Sequence, residues 1–191
     1  MDHVTKRYVP GEAAMWVFIF GDMVMFSMFF GQFIYDRAHQ LALFAESQRS
    51  LSIFYGAINT IVLLTGSLFV VLGVEATKKS PTKSGSVARC FALTMICAVI
   101  FVIDKVFEYA DHLRSGVTPA TNAFFMYYYL FTGIHALHLV IGIAFLVRML
   151  QLSRNPVQSV LDIRFIESGA SFWHLVDLLW IALFAILYLL P

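Results

Sequence analysis

A small set of ionisable side chains lies inside stretches of the sequence that are otherwise apolar. The set comprises Asp22, Lys105, Glu108, His135, His138, His174 and Asp177. Ionisable groups within a membrane segment are costly, so they normally face a protein interior, a lipid headgroup or a partner. These seven residues are therefore the candidate functional residues of the chain, and we assign a catalytic role to none of them.

The last apolar stretch, residues 171–190, is long enough to cross a bilayer. It carries His174 and Asp177 near one end. Residues three apart project from one face of a helix, so these two side chains can form a hydrogen bond with each other. Trp173, Trp180 and Tyr188 add amphipathic rings that suit interfaces and helix packing.

Asp22 falls near the middle of the first apolar stretch. A carboxyl group there must be neutral or partnered, because an isolated charge is strongly disfavoured in hydrocarbon. Two interpretations stay open. The first is a structural Asp that is hydrogen-bonded to a neighbouring helix, and the second is a site that exchanges protons or faces lipid.

Lys105 and Glu108 stand three residues apart at the end of the third stretch, which predicts an ion pair within one helix. They lie within a turn or two of the expected membrane boundary, where long side chains can reach water. We therefore favour an interfacial salt bridge.

His135 and His138 share a helix face near the membrane centre. Two imidazoles so placed could ligate a haem or a metal, or relay protons. One His-x-x-His motif supplies only two ligands, however, and no second helix offers a matching set. His174 with Asp177 is the other intramembrane candidate. We favour hydrogen-bonded packing or contact with lipid or a partner, and we predict no metal site.

The composition indicates an integral membrane protein. Of the 191 residues, 60% are hydrophobic and 13% charged, and the mean hydropathy is +0.78. A net charge of +1 offers no argument for nucleic-acid binding. The polar N-terminus lacks the features of a cleaved signal peptide. Cys90 and Cys97 lie on one predicted helix, about 10 Å apart along its axis, so they are expected to be packing residues rather than a disulfide.

The sequence predicts an all-α bundle of five transmembrane helices in a single domain over residues 1–191. The spans are about 13–35, 52–74, 90–110, 123–148 and 169–190. Of the 13 Lys and Arg residues, nine fall on the side that holds the N-terminus, three fall on the other side, and Lys105 lies within a span. This bias predicts that the N-terminus is cytoplasmic and the C-terminus outside.

Taken together, these stretches resemble subunit III of the haem–copper oxidase superfamily over nearly the whole chain. The matching segments are W-V-F-I-F-G-D-M, N-T-I-V-L-L-T-G-S, K-V-F-E-Y, F-T-G-I-H-A-L-H-L-V-I-G and F-W-H-L-V-D-L-L-W-I-A-L-F. The last two are the most specific. The chain looks like the short five-helix form, without the two N-terminal helices of the seven-helix form.

Two departures from the oxidase pattern favour one branch of the family. Oxidase members usually carry a buried Glu where this chain has Asp22. The G-D-M motif and the tyrosine-rich run before Thr132 look more like the NorE branch, which comprises accessory proteins of nitric oxide reductase. We therefore lean towards that branch.

The resemblance implies an accessory subunit in a bacterial inner membrane. Such a subunit binds no redox cofactor itself; the haem, with copper or non-haem iron, belongs to the catalytic subunit I-type partner. It packs against that subunit, binds phospholipid in a cleft and keeps proton uptake fast. Asp22 would take the place of the buried carboxylate. The polar interior and the lipid or partner contacts would come from Lys105, Glu108, His135, His138, His174 and Asp177.

Two other functions compete with this interpretation. One is a small membrane oxidoreductase that uses His135, His138 and His174 as haem or metal ligands. The other is a proton-coupled transporter that uses Asp22 and the Lys105–Glu108 pair. Transporters are usually built from paired repeats, and the sequence shows no such repeat, so we rank this function last.

Overall fold

The computed structural model describes residues 12–79, 84–154 and 159–190. The polar N-terminus and the loop residues Lys83 and Pro156 lie outside these ranges. The described residues form six α-helices: α1 (Ala13–His39), α2 (Leu41–Arg49), α3 (Ile53–Lys79), α4 (Ser84–Arg114), α5 (Ala123–Ser153) and α6 (Val160–Phe184). A π-helical turn over Ala185–Leu189 continues α6.

The prediction of five spans in an all-α chain is confirmed. Of the six α-helices, all except the short α2 are long and apolar enough to cross a membrane. All five are longer than predicted, because their polar ends continue the helix beyond the apolar part. The largest difference is in α6, which begins at Val160 instead of residue 169. A capping box between Ser159 and Asp162 fixes this start, because each side chain binds the other residue's backbone N–H.

This early start corrects the predicted location of His174 and Asp177. They lie in the middle of α6 and not near its beginning. The direction in which the bundle crosses the membrane stays a prediction. We call the end of the bundle at which α1 and α6 begin, and at which α3 ends, the N-terminal end.

The short helix α2 was not predicted from the sequence. The backbone leaves the helical region at Gln40, and the chain then starts a new helix of nine residues. Its buried side chains are Phe44 and Ser47. Phe44 packs edge-on against Phe33 and Phe124, which ties α2 to the C-terminal part of α1 and the start of α5.

Helix α6 lies at the centre of the bundle, where it packs against α3, α5 and, over a smaller region, α1. Its Trp173 and Trp180 are among the largest fully buried side chains. Small residues let the neighbouring helices approach closely. A Cβ atom added at Gly73 of α3 would lie 2.7 Å from the Phe91 ring of α4, and one at Gly142 of α5 would lie 3.3 Å from Trp173.

Candidate functional site

Asp22 of α1 pairs with His138 of α5. The distance between His138 Nε2 and Asp22 Oδ1 is 3.1 Å, and both side chains are buried. His138 Nδ1 lies 2.8 Å from the backbone carbonyl of Ile134. This contact confirms that Asp22 is hydrogen-bonded to a neighbouring helix, and the two helices that it joins are far apart in sequence.

The two contacts of His138 fix how many protons the pair holds. A carbonyl oxygen can only accept, so Nδ1 must carry a hydrogen and donate it to Ile134. The contact between Nε2 and Oδ1 then requires one further proton. That proton is either on the imidazole, which makes an ion pair with the Asp22 carboxylate, or on the carboxyl group, which then donates to a neutral ring. The arrangement is thus a buried acid–base pair that shares one proton.

Aromatic rings surround the His138 side of this pair, and two of them also line a groove. The rings of Phe18, Phe26 and Phe172 lie about the His138 ring, with centroid separations of 6.4, 5.9 and 6.3 Å. Asp22 Oδ2 has no hydrogen-bond partner among the described residues. A groove of about 310 Å³ at the N-terminal end is lined by Phe18 and Phe172 together with Glu12, Ala14, Met15, Ile141 and Phe145. The pair is therefore one layer of rings away from the membrane surface of the bundle.

His135 lies one helical turn before His138 in a different environment. It is buried between the rings of Phe101 and Trp180, and neither of its nitrogen atoms has a hydrogen-bond partner among the described residues. The two histidines thus belong to one stretch of α5 but do not contact a common atom. Within the described parts of the chain, no three His, Cys, Asp or Glu side chains are placed to share a metal ion. The structure does not bring His135, His138 and His174 together as a ligand set.

Lys105 and Glu108 form the predicted ion pair, with 2.5 Å between Lys105 Nζ and Glu108 Oε2. The expectation that these side chains reach water is wrong, because both are buried within the bundle. The reason is the C-terminal π-helical turn, whose Tyr188 hydroxyl donates to Glu108 Oε1 at 2.5 Å and accepts from Lys105 at 2.9 Å. The rings of Tyr128, Trp180 and Tyr188 also lie near the ammonium group, at 4.8–5.5 Å.

His174 and Asp177 face α3. His174 Nδ1 is 2.8 Å from the hydroxyl of Ser67 and 3.7 Å from Asp177 Oδ2, so the direct His–Asp contact is an electrostatic one beyond hydrogen-bond distance. Asp177 is buried, whereas the His174 side chain is 41% exposed. His174 lines a second groove, between α3 and α6.

Several polar pairs were missed at the sequence level. Asn59 donates to Asp104 at 2.6 Å, and Trp180 Nε1 donates to Thr60 at 3.1 Å. Lys78 pairs with the buried Glu167 at 2.7 Å. The available signal was the polarity of Asn59, Thr60 and Asp104 within apolar stretches. Their partners lie on other helices, so no spacing along the chain could identify them.

Comparison with known proteins decides the family. The sequence profile of the family described as Cytochrome c oxidase subunit III matches residues 9–190. The chain belongs to the cytochrome c oxidase subunit III family. This confirms the predicted resemblance, whereas membership of the NorE branch stays a prediction.

Relatives in this family are distant but cover the chain almost completely. A protein named Cytochrome c oxidase subunit 3 from Synechocystis sp. is 28% identical over 98% of this chain and 84% of its own length. A protein of the same name from Thermostichus vulcanus is 29% identical over 100% of this chain and 92% of its own length. In the Heme-copper oxidase subunit I+III of Aeropyrum pernix, 22% of the length matches 93% of this chain at 26% identity.

Proposed function

We propose that this chain is an accessory subunit of a respiratory haem–copper oxidase-type complex in a bacterial inner membrane. It associates with the haem-bearing catalytic subunit and supports its assembly, lipid environment and proton uptake. Two findings support this proposal: membership of the subunit III family and the name of the Aeropyrum relative, subunit I+III, which joins two subunit names in one polypeptide.

The observation that carries the proton-related part is the shared proton of Asp22 and His138. The pair can pass a proton between carboxyl and imidazole without moving any heavy atom far. One carboxyl oxygen, Asp22 Oδ2, is buried and has no partner among the described residues, so an internal water molecule bound there would supply the missing hydrogen bond. This geometry supports the proposed role in keeping proton delivery to the partner fast.

The groove beside Phe18 and Phe172 supports the lipid-binding part. Its volume of about 310 Å³ and its mainly apolar lining suit part of an acyl chain. A phospholipid there would separate Asp22 and His138 from the bulk membrane. The lipid would thus keep the single proton on the pair and would prevent its uncontrolled exchange with ions.

Association with a haem protein is tested by isolation in mild detergent. The tagged full chain is purified from its native membrane, and a visible spectrum is recorded on the eluate. We expect a stoichiometric haem-containing partner. A chain that elutes alone with a haem band of its own would contradict the proposal and favour the membrane oxidoreductase instead.

The terminal acceptor is the finer part of the proposal. The G-D-M motif and the tyrosine-rich run favour the nitric oxide reductase branch, so we propose that the partner reduces nitric oxide. A nitric oxide electrode and an oxygen electrode, used side by side on the purified complex, test this directly, because they measure which of the two gases the complex consumes. A complex that consumes oxygen and leaves nitric oxide untouched would place the chain with the oxidases.

The role of the pair is tested with Asp22→Asn in the assembled complex. The amide keeps a hydrogen bond to His138 but cannot release a proton, so we expect slower turnover or faster inactivation during turnover at unchanged haem content. Asp36→Asn is the matched control, because Asp36 lies on the same helix and binds Tyr127 away from the pair. If the two variants behave alike, Asp22 is structural.

A further inference from the structure

Helix α4 carries a row of exposed apolar side chains along one side. Its members follow each other at alternating spacings of three and four residues, and each is between 41 and 61% exposed: Leu93, Ile96, Ile100, Ile103 and Phe107. This is the spacing of positions a and d in a heptad repeat, which lets one helix pack its side chains between those of another. The other side of α4 packs against α3 and α5 of the same chain. We call the five exposed residues the α4 seam.

One carboxyl group lies at the edge of the α4 seam. Asp104 follows Ile103 directly, so it occupies position e of the heptad. It is half-buried and accepts a hydrogen bond at Oδ2 from the buried Asn59 of α3, at 2.6 Å. Among the described residues, Asp104 has no ion-pair partner and its Oδ1 has no hydrogen-bond donor. The ammonium of the neighbouring Lys105 is bound by Glu108. The bundle thus gives this carboxyl group one neutral hydrogen bond and no cation of its own.

Asp104 lies too deep along α4 for a lipid headgroup to reach it. At a rise of about 1.5 Å per residue, it is about 10 Å further from the end of the helix than the exposed Asp111. A polar pocket of about 240 Å³ at the same end of the bundle reaches as far as Glu108, but Asp104 does not line it. A carboxyl oxygen that faces hydrocarbon without a partner is costly. The Oδ1 atom therefore calls for a donor from another protein.

We infer that the α4 seam binds a membrane-spanning helix of another subunit, and that this helix places an Arg or Lys side chain against Asp104. Helices with such seams cross at about 20°, so they stay in contact over several turns. The partner's cation would donate a charge-assisted hydrogen bond to Asp104 Oδ1. Apolar contacts between helices gain little over contacts with lipid, so this hydrogen bond selects the partner.

A second copy of this chain fits the seam less well. Two copies inserted in the same direction would pack their α4 helices in parallel, and position e of one helix would then face position g of the other. The position g that precedes Asp104 is Val99, whose side chain cannot donate a hydrogen bond. The inference rests on the proposed association with other membrane subunits. It assigns a surface on α4, whereas Asp22 and His138 lie on α1 and α5.

Site-specific photocrosslinking in the native membrane tests the inference with Asp104 unchanged. Benzoylphenylalanine is placed at Ile100 of the full chain and, as the matched control, at Ile61 of α3, which is exposed and lies two residues from Asn59 at a similar depth. We expect the Ile100 position alone to crosslink to a membrane span of another protein, with an Arg or Lys within about one helical turn of the crosslinked residue. Crosslinks to lipid alone, to a second copy, or to a span without Arg or Lys would each overturn the inference.

The variant Asp104→Asn then tests the ion pair. The amide has nearly the same shape and can still accept from Asn59, so the bundle keeps this contact. We expect the crosslinked partner to bind about tenfold more weakly in mild detergent, because a hydrogen bond between charged groups is lost. Glu46→Gln is the control and should change binding less than about twofold, since Glu46 is exposed on α2. Equal binding by the two variants would overturn the inference. A partner with the expected Arg or Lys in an eluate without haem would support it and contradict the proposed function.

Discussion

The Lys105–Glu108 site and the Asp22–His138 site are both buried pairs of ionisable groups in membrane-spanning helices. They differ in how many of their polar atoms have a hydrogen-bond partner. Both oxygens of Glu108 have partners, and three aromatic rings surround the Lys105 ammonium. Asp22 has one oxygen with no hydrogen-bond partner among the described residues. A completely satisfied network holds a fold in one arrangement, whereas an incompletely satisfied pair can still exchange a proton or contact a ligand.

The comparison predicts that the largest loss of stability comes from Glu108→Ala. This change leaves Lys105 as an unpaired buried charge, which should cost about 3–5 kcal/mol in the free energy of unfolding. The double variant Lys105→Met with Glu108→Gln removes both charges and should recover most of that loss. Denaturant unfolding of the chain in detergent measures both effects. If the double variant is no more stable than Glu108→Ala, the charge balance is not what holds this site together.

A smaller effect is expected for Tyr188→Phe. The phenol hydroxyl bridges Glu108 and Lys105, so its removal breaks two hydrogen bonds to charged groups while the ring stays in place. We expect a loss of about 2 kcal/mol in the same unfolding experiment. Tyr35→Phe is a suitable control, because the Tyr35 side chain is exposed. Equal stability of the two variants would show that Tyr188 does not belong to the network.

Asp22→Asn should destabilise the chain by only about 1 kcal/mol, because one neutral hydrogen bond to His138 can remain. The comparison thus predicts opposite rankings in two assays. Glu108→Ala has the larger effect on unfolding, and among variants that assemble, Asp22→Asn has the larger effect on turnover of the complex. A stability loss for Asp22→Asn as large as that for Glu108→Ala would remove the distinction between the two sites.

The smallest effect is expected for Lys79→Gln. The Lys79–Glu75 pair is exposed on the helix surface, with one residue four positions after the other. Such exposed pairs contribute little to stability, and salt screens what they contribute. Unfolding at low and at high salt should therefore show almost the same stability for the variant as for the unmodified chain. A loss as large as that expected for Tyr188→Phe would mean that surface charges matter as much here as the buried network does.

Much of the fold followed from hydropathy along the chain. The five spans and the Lys105–Glu108 pair depend on neighbours in sequence, so they could be predicted. Helix ends were placed too early or too late, because polar residues such as Lys78 extend a helix without adding to its apolar signal. The short α2 was missed because only Phe44 and Ser47 of its nine residues are buried.

The candidate residues could be named from the sequence, but not their environments. Asp22 and His138 are separated by 116 positions, and Lys105 and Tyr188 by 83. His135 and His138 carry the same side chain on the same helix. One shares a proton with Asp22, and the other lies between two aromatic rings, and this difference arises from the helices packed against α5.

The sequence by itself determined that the chain spans a membrane five times, that it belongs to the subunit III family, and which ionisable residues must be partnered. These properties depend on transfer from water to hydrocarbon, which acts on each residue and its helical neighbours alone. The tertiary structure decided which charge is neutralised by which partner, and which pair keeps an oxygen with no partner among the described residues. Those outcomes depend on how α1, α3 and α5 pack around α6, and contacts between distant residues leave no local pattern in the sequence.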